Sequence, residues 1–386
     1  MLSEVAAFDF GLTAEQEARA RRLHTDSVIV DMVFQSPCGY ESYTPEMDET
    51  LRRAWERSGS PAEVMALARG IFQTEAMAGR FDGFREAWQA SGVTLGILAG
   101  DLGNMDVAVR VFGRARQMFD RIDWLVPAMT VADVRRAKRD GKVAAYLYSQ
   151  SVIPLSANLD LYEAARSLGL AMIQPTYNSM TWFGAGCTER TDAGVSGHGA
   201  DAVARMNEVG IVVDTSHCGR QTTLDICSLS SRPVTACHTC AAGVFACDRA
   251  KSDQELRAVA ATGGVVGVVA VPFFLSGGAG VTIEAMLDHI EYIANLVGWE
   301  HVGLGTDWPM PMPKWMLRDV FGPYATEIGF RPEHNIQPEV NLVGFDSYRD
   351  FPNITRGLVK RGFSDDQVRG ILGENALRVF AACWGG

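Results

Sequence analysis

Eight short apolar runs recur along this chain, and polar residues able to do chemistry stand just after their C-terminal ends. The runs are Val28–Asp31, Val93–Ala99, Val143–Tyr148, Leu170–Pro175, Ile211–Asp214, Val234–Ala236, Val265–Val269 and Val302–Gly305. After them come Gln35, Gln150, Tyr177, His217, His238 and Asp307. Each run reads as a strand, and helical patterns lie between most of them. Eight βα units with chemistry at the strand ends describe a (β/α)8 TIM barrel, whose active site sits on that face.

The 386 residues exceed the usual size of a domain, but a barrel with insertions takes in all of them, so residues 1–386 are read as one barrel domain. A hydrophobic content of 47% supplies the large core that this requires. The net charge of −11 argues against nucleic acid and anionic membrane surfaces as partners. No apolar run reaches membrane-spanning length. The stretch MLSEVAAFDFGLTAEQEARARRLH lacks the basic-then-apolar order of a signal peptide. Cysteines at 38, 187, 218, 227, 237, 240, 247 and 383 form no regular framework, and reduced thiols in the cytoplasm are the expectation. Cys237-His238-Thr239-Cys240 is shaped like a metal knuckle, but no second Cys/His pair stands at finger spacing.

Two insertions interrupt the βα rhythm. Ser36–Phe81 follows strand one, with a Pro/Gly/Tyr/Asp-rich start and a helical second half from Pro61. Trp308–Tyr348, rich in Pro, Gly and aromatic residues, follows strand eight. Both fall on the catalytic face, where lids and specificity loops grow. Met180–Gly197 is a Gly-rich connection carrying Cys187, Glu189, Arg190 and Asp192. Helical spacing at Asp106–Phe119, Thr130–Lys138, Leu161–Leu168, Ala200–Val209, Asp253–Ala261 and Ile283–Val297 supplies the crossovers, and Asn353–Arg361 and Asp365–Phe380 close the chain.

Val-Val-Asp214-Thr-Ser-His217 sets a histidine at the mouth of strand five, and Val-Thr-Ala-Cys-His238 sets another at strand six. Neighbouring strands lie roughly 4.8 Å apart. Imidazoles at equivalent heights on such strands can share one divalent ion, with zinc the first choice. Gly303-Leu-Gly305-Thr-Asp307 ends strand eight with a carboxylate that can take a proton from water beside such an ion and pass it to a leaving amine. The competing reading of Asp307 is a loop cap or an arginine partner. His24, His289, His301 and His334 read as structural, and His198 lies in the fourth loop region.

His217 in DTSHCG, His238 in CHTCA, Arg249 in CDRAKSDQEL, the Gly263-Gly264-Val-Val-Gly turn and HVGLGTDW together resemble the renal (membrane) dipeptidase family of the amidohydrolase superfamily. The similarity runs from Asp26 to the C-terminal GENALRVF. Tyr177-Asn178, Gly186-Cys187-Thr-Glu189-Arg190 and Asp192-Ala-Gly194 are similar to its bacterial branches in particular. The resemblance implies a (β/α)8 barrel, two bridged zinc ions, dipeptide hydrolysis and a homodimer. It implies that His217 and His238 hold the second zinc. It makes Asp307 base and first-zinc ligand, and gives Arg249 the substrate carboxylate as a bidentate fork.

The chain departs from that pattern at the first metal. The family's first strand ends Asp-Gly-His-Asn-Asp, with the histidine and second aspartate on the first zinc, and here the segment is Asp31-Met-Val33-Phe-Gln35. The bridging glutamate after strand three is Gln150, and a histidine that contacts the reacting carbonyl is Tyr177. What remains is His217, His238 and Asp307, two histidines and a carboxylate with an open position, which is a common catalytic zinc set.

The leading expectation is therefore a hydrolase with about one zinc per chain, cleaving an amide-type bond in a small carboxylate-bearing, dipeptide-like substrate. Asp307 and Tyr177 are its catalytic candidates, and Arg249, Tyr177 and Gln150 its substrate contacts. If Asp307 is a ligand it is a poorer base, and Asp214 or a lid residue would assist. Tyr177 either donates a proton to the oxyanion or packs in the core. Cys218, Cys237 and Cys240 lie near the histidines in sequence as possible substitute soft ligands, though Cys237, one residue before His238, is expected on the opposite side of the strand. A second reading is a metal-free barrel that binds or transforms a small amino-acid derivative. A third rebuilds the two-metal site from Glu189 or Asp192. Trp315, Met316 and Phe321 serve either a dimer interface or a lid.

Overall fold

The protein is seen here as a computed structural model that describes residues 8–33, 43–80, 82–99, 102–151, 155, 158–307 and 312–385. Each apolar run supplies one strand of a parallel ring. We number these strands β1 (residues 30–31), β2 (Leu95–Ala99), β3 (Val143–Ser149), β4 (Leu170–Ile173), β5 (Val212–Val213), β6 (Thr235–Ala241), β7 (Val265–Val268) and β8 (Val302–Leu304). The strands β2 to β5 pair in order, as do β6 to β8. Asp214 pairs with Thr235 between the two sets, while Val30 pairs with Leu95 and Asp31 with Leu304. These three bridges join the sets on both sides and close the ring. Short strands at Leu125–Pro127 and Ala250–Lys251 flank β3 and β6.

Valine, isoleucine and leucine dominate the ring because a parallel strand between a core and a layer of helices is buried on both faces. Thr130 and Ser252 start their helices, Val131–Arg139 and Asp253–Ala261, with reciprocal caps that satisfy otherwise orphaned amides. The last helix, Asn375–Trp384, seals the N-terminal end of the barrel. Trp384 Nε1 donates to the Ala171 carbonyl at 3.1 Å, and Asn375 Nδ2 to that of Val302 at 2.8 Å. Tyr146 stands edge-on to both Phe380 and Trp384 at 5.5 Å. With that end plugged, the opposite mouth is where a ligand can enter.

The two insertions lie where the sequence places them and touch each other. Helices Pro45–Ser58 and Pro61–Met77 follow β1, and helical turns Met316–Phe321 and Gly322–Glu327 follow β8. Trp315 Nε1 donates to Asp48 Oδ1 at 2.6 Å, and Arg52 lies over the indole at 4.5 Å. Trp315 thus serves a contact between the insertions. Among the described residues no helix is long and apolar enough to cross a membrane.

Candidate metal and active site

The strand β5 ends after two residues, and the chain turns through Asp214, which is wholly buried. Its Oδ1 accepts from the Cys237 amide at 2.6 Å, Ser216 Oγ at 2.9 Å and Thr235 Oγ1 at 3.1 Å. Its Oδ2 accepts from the Tyr148 hydroxyl at 2.8 Å. These contacts hold the carboxylate in place and tie β5 to β6.

The strand β6 is longer than its apolar run, and His238 lies within it rather than beyond its end. The pairing with β7 slips between Ala236 and Thr239. That irregularity overturns the expectation for Cys237, because side-chain alternation holds only along a regular strand. Cys237 Sγ lies 3.0 Å from His238 Nδ1, on the same side as the histidine. Glycines make room for the displaced peptide: a Cβ at Gly267 or Gly305 would fall 1.9 or 1.7 Å from the Cys237 carbonyl oxygen.

Four residues past β5, His217 turns its Nε2 toward His238 Nε2 at 2.9 Å. Both rings are buried. Burial first, and then the Arg249 charge, pushes each imidazole well below its ordinary pKa, so both are neutral at pH 7. His217 Nδ1 lies 2.7 Å from Asn178 Oδ1. That oxygen can only accept, so Nδ1 carries the hydrogen and Nε2 presents a lone pair. Two neutral imidazole nitrogens 2.9 Å apart suit one divalent ion, since two ligand bonds of about 2.0–2.1 Å can span them. The pair therefore fits a metal.

Asp307 is one of two described non-glycine residues with positive φ, at 53°. Its amide donates to the Val33 carbonyl at 3.0 Å, which joins the mouths of β8 and β1. Its charge acts on both Tyr177 and Arg249. The ligand atoms of His238, Asp214 and Cys237 gather within 4.8 Å of one another, and Asp307 stands outside that group. These three also offer donor atoms close enough to hold a metal ion, and the Asp214 carboxylate is at the same time tied into a hydrogen-bond network.

Tyr177 stacks on His217 with ring centroids 3.9 Å apart. Burial first, and then the Asp307 charge, raises its pKa, so the hydroxyl keeps its proton. Arg249 is buried and donates through Nη1 to the Ser216 carbonyl and through Nη2 to the His238 carbonyl at 2.9 Å. Its Nε has no partner among the described residues. Gln150 Nε2 lies 3.4 Å from His238 Nε2. Gln35 lies outside the described residues.

The Asp31 carboxylate, at the start of the altered first-metal segment, accepts from the Val33 amide at 3.1 Å, the Thr306 amide at 2.9 Å and Thr306 Oγ1 at 2.5 Å. Burial above all raises it to about 6. The two proposed substitutes for that site are engaged as well. Asp192 accepts from the Gln221 amide at 2.6 Å, at the start of helix Arg220–Leu229, and Glu189 from the Met180 amide at 2.6 Å. Among the described residues the groups that gather for a metal ion are thus the His217–His238 pair and Asp214, Cys237 and His238, while Asp192 and Glu189 hold backbone amides.

Four other histidines have structural partners: His24 meets Thr355 and Ser91, His289 the Ala241 amide and Leu275 carbonyl, His301 the Gly264 carbonyl, and His334 Arg331 and Asp248. His198 lies against Trp182. Lys251 is what the sequence reading missed. Buried, it donates to the Cys218 carbonyl at 2.8 Å and Thr223 Oγ1 at 2.6 Å and pairs with Glu255 at 3.1 Å. Its charge also helps keep both site histidines neutral. Its place two residues after Arg249 was the available signal.

The profile of the family described as membrane dipeptidase (peptidase family M19) matches residues 17–325. An uncharacterised dipeptidase of Schizosaccharomyces pombe is 27% identical over 250 residues, covering 63% of this chain and 54% of that protein. The chain thus spans about half the length of that curated relative. A solved amidohydrolase from Pseudomonas aeruginosa superposes with a TM-score of 0.74 at 27% identity, covering 95% of this chain and 99% of that one. A Rhodobacter sphaeroides metallopeptidase, solved with a phosphinate mimic of the dipeptide L-Ala-D-Ala, gives a TM-score of 0.62 at 20% identity over 78% of this chain and 90% of that one, a likeness of fold.

Proposed function

This chain belongs to the membrane dipeptidase family, and from that premise we propose that it is a metal-dependent hydrolase that cleaves the amide bond of a small, dipeptide-like substrate at a single-ion site. The observation that carries the reading is the convergence of His217 and His238, two neutral imidazoles with Nε2 atoms 2.9 Å apart at the open mouth of the barrel. They would hold the ion, which is zinc in this proposal. When bound, a zinc ion supplies Lewis acidity toward a carbonyl and toward water.

The remaining steps belong to the chain's own groups. The Asp307 carboxylate takes a proton from the attacking water and delivers it to the leaving amine. Tyr177, its hydroxyl held protonated, donates a hydrogen bond to the carbonyl oxygen as negative charge builds there. Arg249 holds the substrate carboxylate through the guanidinium edge that includes the unpartnered Nε. Gln150, whose amide faces His238, contacts the substrate beside the ion. A homodimer in the cytoplasm completes the proposal, in keeping with the seven described cysteines all being free.

The test is zinc content of protein purified without chelator, followed by hydrolysis of a panel of L,L and L,D dipeptides. About one zinc per chain and turnover lost in His217→Ala supports the reading. One observation favours the metal-free alternative. Cys237 Sγ to His238 Nδ1 at 3.0 Å, His238 Nε2 to His217 Nε2 at 2.9 Å and His217 Nδ1 to Asn178 Oδ1 at 2.7 Å form a chain that closes by hydrogen bonds alone. Protein that takes up no zinc even when zinc is added would decide for that alternative.

A further inference from the structure

We propose that Asn178 is the positioning residue of this site, and that it links the tautomer and aim of His217 to the seating of the loop after β8. The proposal rests on the reading of His217 as a ligand only for its effect on metal affinity. The tautomer itself follows from the hydrogen bonds.

The Ile328 carbonyl, just after the helical turn Gly322–Glu327, lies 2.8 Å from the Asn178 side-chain amide. A carbonyl oxygen can only accept, so the group facing it is the NH2. The other end of the amide, Oδ1, then faces His217 Nδ1 at 2.7 Å and can only accept. Nδ1 must therefore donate. His217 is left with a bare Nε2, and that atom points at His238 Nε2. One carbonyl in a loop thus decides, through two amide atoms, which imidazole nitrogen offers its lone pair to the mouth of the barrel.

Asn178 is built to stay where it is. It has no exposed surface. Its backbone carbonyl accepts from the Thr188 amide at 3.1 Å and from Thr188 Oγ1 at 2.9 Å. The Cys187 amide donates to the His217 carbonyl at 2.7 Å, which ties the same connection to the histidine. Gly329 packs against it from the loop side, with φ of +98°, where a side chain is strained, and a Cβ there would press on Ser179 Oγ at 2.9 Å and on Asn178 Cβ at 3.0 Å. If the loop withdraws, the amide loses the acceptor that fixes its orientation. A flipped amide would turn its NH2 to Nδ1 and move the imidazole hydrogen to Nε2, where it blocks the lone pair. Loop seating and ion holding are then two readings of one hydrogen-bond chain.

The experiment uses the full chain with 15N-labelled histidine, first free of metal. The nitrogen spectrum is expected to show His217, identified by its loss in His217→Gln, as the Nδ1–H tautomer. In Asn178→Leu that tautomer gives way to a mixture, whereas Asn178→Asp keeps it, because a carboxylate also only accepts. Zinc affinity, read by chelator competition, should fall about 10–100-fold in Asn178→Leu and far less in Asn178→Asp. Gly329→Val, which touches neither histidine, should weaken zinc binding in the same direction and add little in the Asn178→Leu background. If Asn178→Leu does not fold, the Asp variant and Gly329→Val carry the test. An Nε2–H His217 in the native protein overturns the proposal, as does unchanged zinc affinity in both Asn178→Leu and Gly329→Val. A protein that binds no zinc at all overturns the metallohydrolase reading, and the tautomer spectrum still decides for or against Asn178.

Discussion

His217 Nε2 and His238 Nε2 stand 2.9 Å apart on neutral rings, one just past β5 and the other within β6. Neither ring can be replaced without leaving the other alone, so removing either should abolish tight zinc binding. The native chain is expected to bind about one zinc and to be stabilised by it, by about 2.7 kcal/mol when free zinc is a hundredfold above Kd. His217→Ala and His238→Ala should lose both the ion and the zinc-dependent rise in Tm. A full complement of zinc in either variant would place the ion elsewhere.

Gly305 gives a prediction that does not depend on chemistry. A Cβ there would lie 1.7 Å from the Cys237 carbonyl oxygen and 3.3 Å from His238 Cα, both of them backbone atoms. No rotamer change relieves such a contact. Gly305→Ala should therefore cost at least about 3 kcal/mol, the upper end for overpacking a core. Urea unfolding of Gly305→Ala beside Gly278→Ala is the check, since neither glycine has a positive φ and Gly278 has nothing within 4 Å of its would-be Cβ. Equal losses would mean that the β6 peptide can yield.

How much of this was legible in the sequence differs from residue to residue. All eight strands could be read because buried parallel strands are written in aliphatic runs, and His217 and His238 because each closely follows such a run. The length of β6 could not, since Cys-His-Thr-Cys continues the strand without continuing the apolar pattern. Nor could the side taken by Cys237, which depends on a register slip between strands rather than on the order of residues. The network around Asp214 could not be read either, because its partners Tyr148, Ser216, Thr235 and Cys237 are spread over 89 positions of sequence. Asn178 was visible as a motif residue, but its tie to Ile328 spans 150 positions.

Arg249 should show two separable effects. Its terminal nitrogens hold the Ser216 and His238 carbonyls, so Arg249→Ala leaves two buried acceptors unpaired, at about 1–3 kcal/mol each. Arg249→Lys keeps the charge but cannot reproduce the fork, so it should lose less stability while still raising KM for a carboxylate-bearing dipeptide by about tenfold or more. Denaturation and steady-state kinetics on both variants separate the roles. A lysine variant with native KM would leave Arg249 as a clamp between the turn after β5 and β6 and nothing more.

His24 adds to the acid sensitivity of this fold. Its Nε2 lies 3.1 Å from the Ser91 carbonyl, which can only accept, so Nε2 carries the hydrogen and Nδ1 accepts from Thr355 Oγ1 at 2.8 Å. A second proton on Nδ1 would break that bond. Burial, only partly opposed by the bond to Ser91, and the nearby Lys138 charge take the imidazole from 6.5 down to about 4. Between those two values the unfolded chain takes up a proton that the folded chain does not, so stability is lost as pH falls from 6.5 toward 4 and is fully present above 6.5. The difference corresponds to about 3 kcal/mol at most. Urea unfolding at pH 7 and pH 4.5 should therefore show a smaller drop in His24→Gln than in the native chain. An equal drop in both would mean that His24 is protonated in the folded protein, and that acid acts through other groups.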